Sequence, residues 1–159
     1  YITEIINMTC IDNEIYDFIL SANNLDLTAN PLKALQEFKR VLKKGGLIII
    51  IVPTREKTFN HRRELTRFEH LLEDYKNDMK EDDLTHLPEI LRLYDFELDD
   101  FFKDRETFER LAEFNYENKI LRHHVFGKRC LTKIFRWLEL EIINFYEIES
   151  SYMIAVKKK

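Results

Sequence analysis

Two apolar runs with an amphipathic segment between them dominate the first third of the chain. Residues 18–20 and 47–52 lack polar alternation, which is typical of parallel strands covered on both faces. Between them, apolar residues recur at helical spacing: Leu32, Leu35, Phe38 and Leu42. Asn30 and Pro31 suit the N-cap and first position of this helix, and Gly45 is predicted to end it in a left-handed conformation. The pattern predicts a parallel βαβ unit with a right-handed crossover.

After Pro53 the spacing of apolar residues is mainly helical. It predicts helices over residues 64–77, 85–93 (with Thr85 as N-cap), 106–118 and 128–138. Two further apolar segments at 141–148 and 152–156 have the spacing of a hairpin. Residues 1–8 are β-branched enough for a short strand.

The predicted fold class is therefore α/β, as one domain over residues 1–159. The sheet and crossover helix occupy residues 1–53, a helical insertion or lid occupies 54–138, and a β-hairpin occupies 139–159.

Composition narrows the class of protein. The chain has 159 residues, 45% of them hydrophobic, which is enough for the core of one domain. Its net charge of −4 argues against a dedicated nucleic-acid binder, and no apolar run reaches the length of a membrane span. Cys10 and Cys130 are too few for a disulfide scaffold, so we expect unpaired thiols in a reducing cytoplasm.

Charged residues follow the second predicted strand, on the side where open parallel sheets bind ligands. Arg55, His61, Arg62 and Arg63 lie there, and arginine is suited to carboxylates and phosphates. These residues predict an anionic substrate. The alternative is a helix start whose charges face water or pair with Glu64 and Glu69.

The other histidines are candidates for a polar lid. His70, His86, His123 and His124 could converge with His61 over the substrate, or could be ordinary structural residues. Because the adjacent His123 and His124 cannot easily share one ion, the sequence predicts no metal site.

Several stretches resemble class I S-adenosylmethionine-dependent methyltransferases of the type 11 kind. Asn7-Met8-Thr9 with Tyr16-Asp17-Phe18-Ile19 resembles the entry into the family's fourth strand. Residues 30–35 and 40–46, the latter reading R-V-L-K-K-G-G, resemble the helix and turn before its fifth strand. The closing strand pair resembles its sixth strand and antiparallel seventh. This resemblance implies a Rossmann-like methyltransferase sheet that carries a helical insertion.

The resemblance also implies site residues. Glu4, Ile5 and Met8 fall where the family contacts adenine, and Ser21 and Asn23 belong to the loop after its fourth strand. The family's glycine-rich cofactor turn is missing, because this chain contains only Gly45, Gly46 and Gly127. The chain therefore looks like a methyltransferase without its N-terminal half, and we do not expect it to be active alone. No catalytic residue is identified.

The resemblance implies S-adenosylmethionine as cofactor and a small acceptor, anionic or sugar-like. The alternative is a non-catalytic, degenerate methyltransferase domain that binds a protein partner. A stand-alone nucleotide-binding module is disfavoured because no phosphate loop is present. Without the family's first strand, residues 18–20 would form an exposed apolar edge, which predicts a homodimer or cover by the strand remnant near the N-terminus.

Overall fold

A four-stranded mixed sheet is the centre of the fold. The computed structural model describes residues 4–56 and 58–159. The strands are β1 (Tyr16–Ala22), β2 (Leu42–Pro53), β3 (Leu140–Ile148) and β4 (Ser151–Lys158), in the order β1-β2-β4-β3. β1 and β2 are parallel, whereas β4 runs antiparallel to both β2 and β3. The predicted α/β class, with a parallel βαβ unit and a closing antiparallel pair, is confirmed.

Among the described residues, one α-helix connects β1 to β2, and five lie between β2 and β3. They are α1 (Pro31–Val41), α2 (Phe68–Lys76), α3 (Leu87–Leu93), α4 (Arg105–Ala112), α5 (Asn115–Asn118) and α6 (Lys128–Trp137). Short 3-10 turns occur at Leu25–Leu27 and Phe96–Leu98. Within the described ranges, no helix combines the length and apolar character that crossing a bilayer requires.

The start of α1 follows directly from its sequence. The Asn30 side chain accepts a hydrogen bond of 3.1 Å from the backbone N–H of Lys33, and Pro31 occupies the first helical position. The apolar stripe of α1 is buried in the main core together with Ile48 and Ile50 of β2. The predicted cap and packing face are confirmed.

The predicted end of α1 is wrong. The helix stops at Val41, and the fully buried Leu42 is already extended as the first residue of β2. Gly45 has φ +77°, but it lies inside β2, where the register between β1 and β2 is irregular. The left-handed glycine therefore lies at an irregularity of the sheet and not at the end of the helix.

The first helix of the insertion also begins later than the spacing of its apolar residues predicted. Residues 64–67 are not helical, because Thr66 exchanges two hydrogen bonds with Val125: its N–H donates to the Val125 carbonyl, and its Oγ1 accepts from the Val125 N–H, both at 2.9 Å. Thr85 is not an N-cap, since its hydroxyl is bonded to Asp83 at 2.8 Å. The predicted helix over residues 106–118 is divided into α4 and α5.

The N-terminal residues do not form the predicted strand where the structure describes them. Glu4 and Asn7 make one isolated bridge, and Ile6 packs into the main core. Tyr1 to Thr3 lie outside the described residues. Since β1 pairs only with β2 among the described strands, residues 4–8 do not cover the edge of β1.

The two faces of the sheet differ sharply. α1 and α6 cover one face, where Ile48, Ile154 and Val156 are fully buried. On the other face, Phe18 is 65% exposed and Leu20 is 60% exposed. The expectation that β1 is covered on both faces is wrong, because one of its faces is exposed. β1 is also an edge strand among the described strands.

Candidate functional site

The helical insertion contacts the loop after β1, at the carboxyl end of the parallel strands. Arg122 donates to the buried carboxylate of Asp26, and the His124 N–H donates to the Asp26 carbonyl at 3.3 Å. A Glu81 carboxylate oxygen accepts from the Ala29 N–H at 3.3 Å. These contacts place the insertion over the edge where ligands bind in open α/β sheets.

Four of the five histidines meet in this insertion. Nε2 of His70, on α2, lies 2.8 Å from Nε2 of His86, which directly precedes α3. The His86 ring centre is 5.5 Å from that of His123 and 5.3 Å from that of His124. The His123 and His124 side chains are wholly buried, and the His86 side chain is 10% exposed. Three separate chain segments therefore converge on one imidazole cluster.

Two buried carboxylates border the imidazoles. Asp74 is 7% exposed, and its Oδ2 lies 3.5 Å from His70 Nε2 and 3.9 Å from His124 Nε2. Asp83 is 6% exposed, and its Oδ2 lies 3.4 Å from His86 Nδ1 and 3.9 Å from His123 Nδ1. Each carboxylate thus faces two histidines.

Burial controls protonation in this cluster. Desolvation lowers the pKa of His123 to about 3 and that of His124 well below its usual range, with the neighbouring His86 adding to both shifts. The pKa of His86 is also lowered, first by burial and then by His70. Burial raises the pKa of Asp74 to about 6. At neutral pH the buried imidazoles are neutral and present lone pairs.

Several polar atoms in the cluster lack hydrogen-bond partners among the described residues. These atoms are Oδ2 of Asp74 and Nδ1 of both His123 and His124. The opposite nitrogen of His124 is 3.3 Å from the Ala29 carbonyl, and that of His123 is 3.3 Å from the Asn115 amide. Unpaired buried polar atoms are costly and often mark a bound ligand or ion.

Arg63 is held inside the protein. Its side chain is 2% exposed and donates to the carbonyls of Arg122 at 2.6 Å and His123 at 3.0 Å. It also pairs with Glu89 at 3.2 Å. These contacts hold the segment that carries the two adjacent histidines, whereas Arg63 Nε has no hydrogen-bond partner among the described residues. A role of Arg63 in substrate binding remains a prediction.

The other predicted anion-binding residues lie apart from the imidazole cluster. His61 and Arg62 both contact Asp95 Oδ2, at 2.9 Å and 2.7 Å. Arg55 pairs with Glu56 at 3.0 Å. His61 is thus the one histidine that the described structure does not bring into the cluster.

The residues assigned to the cofactor by resemblance occupy two places. Glu4 lines a surface pocket of about 600 Å³ together with Asn115 and Tyr116 of the insertion. Ile5 and Met8 pack beside the main core. Ser21 is buried at the end of β1, and its hydroxyl has no partner in the described part of the chain, while the exposed Asn23 adopts φ +53°. Their role in cofactor binding remains a prediction.

Sequence reasoning assigned no role to the acidic members of this region, because the spacing of His70 and Asp74 is also ordinary for a helix surface. Asp74 follows His70 by four residues on α2, a spacing that places both on one helix face. Asp83 precedes His86 by three residues. These short spacings could be read from the sequence. The pairing of Asp26 with Arg122 could not, because the two residues are 96 positions apart.

Comparison with known proteins agrees with this architecture. Residues 3–50 match the model of the family described as "Methyltransferase domain". A SAM-dependent methyltransferase of Thermotoga maritima, described as a possible histamine N-methyltransferase, superimposes with a TM-score of 0.53 at 16% identity. That alignment covers 99% of this chain and 62% of the other. Residues 3–50 are thus similar to that family, and over the whole chain the comparison shows a shared fold.

A second similarity covers a shorter stretch. An uncharacterized protein of Methanocaldococcus jannaschii is 37% identical over 60 residues, which cover 35% of this chain and 29% of that protein. The chain spans less than two thirds of the length of either relative.

The residues present do not make a complete S-adenosylmethionine site. Gly45 and Gly46 lie near the start of β2, at the end of the strand opposite its carboxyl edge, and Gly127 precedes α6. None of the three follows the carboxyl end of a described strand, where a close backbone approach to a cofactor would need glycine. What the chain offers at the ligand edge is the wall after β1 and the insertion over it.

Proposed function

We propose that this chain forms the acceptor-side part of a S-adenosylmethionine-dependent methyltransferase. In this proposal the donor is held mainly by a half-sheet that joins at β1. The chain supplies the loop after β1 and the helical insertion, which cover the reacting groups and exclude water. Methyl transfer depends chiefly on aligning donor and acceptor, so a wall and a lid are a substantial contribution.

The observation that carries this proposal is the strand arrangement. β4 lies antiparallel between β2 and β3, and β1 stands at the parallel edge with no second neighbour among the described strands. Phe18 and Leu20 there are apolar and more than half exposed. A further strand beside β1, with helices on the open face, would bury these residues and continue the parallel half of the sheet.

The test is calorimetric titration with S-adenosylhomocysteine. We expect no binding by residues 1–159 alone, and binding by a polypeptide in which a glycine-turn half-sheet is joined at β1. Binding by the 159-residue chain alone would contradict the proposal that a further half-sheet holds the donor. Absence of binding in both forms would overturn the methyltransferase proposal.

The acceptor belongs to the same proposal. Arg55 follows β2, and the Arg62 side chain is 53% exposed, so both remain near water at the ligand edge. They support a small anionic or sugar-like acceptor. If this is correct, Arg55→Ala in the donor-binding form will raise the KM for the acceptor and leave S-adenosylhomocysteine affinity unchanged. An unchanged KM would contradict it.

A cytoplasmic location belongs to the same proposal, in keeping with the two free cysteines, Cys10 and Cys130.

The same exposed edge supports a second candidate function, a non-catalytic interaction domain. We expect a second copy of the chain to pair with it, because an unpaired apolar edge strand readily accepts another strand. Sedimentation of the wild-type protein should show a dimer that Phe18→Lys and Leu20→Lys dissociate. Phe101→Lys is the control, since Phe101 is 90% exposed and lies outside the sheet. A wild-type monomer would exclude the homodimer.

A further inference from the structure

The imidazole cluster contains two overlapping groups with the spacing of metal ligands. His70, His86 and His124 each offer a nitrogen within 4.8 Å of the other two, and Asp83, His86 and His123 do the same with one carboxylate oxygen. His86 belongs to both groups. The adjacent His123 and His124 therefore need not share one ion, because they serve different groups and their ring centres are 6.2 Å apart.

The first group has the better ligand set. Asp74 adds a carboxylate oxygen 3.5 Å from His70 Nε2 and 3.9 Å from His124 Nε2. Three imidazoles and one carboxylate make four ligands, the number that a closed structural zinc site requires. Ligands at zinc-bond length around a tetrahedron are about 3.3 Å apart, so small side-chain movements would bring these atoms to an ion.

An outer contact already orients one of these histidines. Asp83 faces Nδ1 of His86 at 3.4 Å, so a proton on that nitrogen leaves Nε2 free toward His70. The Ala29 carbonyl lies 3.3 Å from Nε2 of His124, the nitrogen that faces Asp74, so binding of an ion through Nε2 would replace this contact. Carboxylates and carbonyls that fix the histidine tautomer are usual around protein-bound zinc.

A bound cation would explain the short contact between His70 and His86. Two imidazole nitrogens 2.8 Å apart either share a proton or face a common cation. A cation would also satisfy the buried Asp74 oxygen, which no described group bonds. One divalent ion thus accounts for the convergence of four polar side chains at one point.

We propose that His70, His86, His124 and Asp74 bind one zinc ion, with Asp83 supporting His86 from the outer shell. The ion would fasten α2 and the start of α3 to residues 123–124. Since His124 contacts the loop after β1, the site would also hold the insertion over the ligand edge of the sheet. This function is independent of methyl transfer.

The chain contains a matched control for the test. His70 and His61 have similar side-chain exposures, 38% and 35%, and each faces a carboxylate, but only His70 is in the cluster. Metal-free protein would be equilibrated with Zn²⁺, dialysed and analysed for bound metal. We expect one ion per chain in the wild type and in His61→Gln, and a loss in His70→Gln. Asp83→Asn should weaken zinc about 10–100-fold, as expected for an outer-shell partner.

A spectroscopic measurement on the wild type removes dependence on the folding of any variant. Co²⁺ in place of zinc should give the intense visible absorption of a tetrahedral site. The weak spectrum of six-coordinate Co²⁺, or absence of bound metal in the wild type, would overturn the proposal. Equal zinc binding by folded His70→Gln and His61→Gln would overturn it as well.

Discussion

Arg122 donates to the carboxylate of Asp26, a side chain that is only 1% exposed. The two residues are 96 positions apart, and their contact joins the helical insertion to the loop after β1. Burial raises the pKa of Asp26, while the Arg122 charge and hydrogen bond oppose that rise. The insertion is thus attached to the sheet partly through a buried charge pair.

Replacing Arg122 alone should be strongly destabilising. Arg122→Met leaves the Asp26 carboxylate buried without its cation, and we expect the free energy of unfolding to fall by about 3–5 kcal/mol in urea titrations. Arg105→Met is the control, because Arg105 is 60% exposed and makes a surface pair that contributes at most about 1 kcal/mol. The double variant Asp26→Leu with Arg122→Met should recover much of the loss, and a double variant as unstable as Arg122→Met would contradict this account.

Two neighbouring arginines should differ widely in their effect on stability. Arg63→Ala removes the donor to two backbone carbonyls and should cost about 2–6 kcal/mol, since unpaired buried acceptors cost about 1–3 kcal/mol each. Arg62→Ala removes a half-exposed side chain and should change stability by no more than about 1 kcal/mol. Chemical denaturation of both variants measures the difference. Similar losses in both would mean that the carbonyl contacts of Arg63 contribute little.

Arg40 should fasten the residues before β1 to α1. It donates to the carbonyls of Met8 at 2.7 Å and Ile11 at 2.8 Å, and also pairs with Glu37. Arg40→Ala should therefore speed amide hydrogen exchange in residues 8–13 without changing exchange in β4. Equal exchange in wild type and variant would rule out this role.

The Arg40 contact also predicts a pH dependence. The hydrogen bond from Arg40 lowers the pKa of Glu37 below its usual 4.5. A lowered folded-state pKa contributes stability that is present above pH 4.5 and is lost as the pH falls through the lowered value. The stability difference between wild type and Arg40→Ala should therefore shrink on acidification below that pH. A difference that grows on acidification would contradict the assignment.

The two cysteines should react at very different rates. Cys10 is exposed, whereas Cys130 is buried and its pKa is raised to about 12 by desolvation, so little thiolate forms at neutral pH. Iodoacetamide at mild alkaline pH should modify Cys10 first, and mass spectrometry should find Cys130 modified only in denaturant. Rapid labelling of Cys130 in the native protein would show that its surroundings open easily.

Local signals predicted the elements, and tertiary contacts decided where they end. Asn30 and Pro31 were sufficient to predict where α1 begins. Gly45 did not mark its end, because the chain is already extended at the buried Leu42. The apolar run at 18–20 indicates a strand without indicating which faces are covered. Exposure of Phe18 depends on what packs across the sheet, and that information is not local.

The histidine cluster marks the limit of prediction from spacing. Its members come from α2, from the turn before α3 and from residues 123–124, so only the packed insertion brings them together. The sequence argument was that the adjacent His123 and His124 cannot easily bind the same ion. In the structure they belong to two different groups of candidate ligands. Their division between two groups depends on the contacts of Arg63 and Ala29 with this segment, which no periodicity shows.

The order β1-β2-β4-β3 makes the sheet dependent on its last strand. Among the described strands, β3 pairs only with β4, and β4 connects it to β2. During synthesis β3 emerges before this strand partner, so it cannot join the sheet until residues 151–158 leave the ribosome. A stop codon just before Ser151 would thus remove one strand from the polypeptide and two from the sheet.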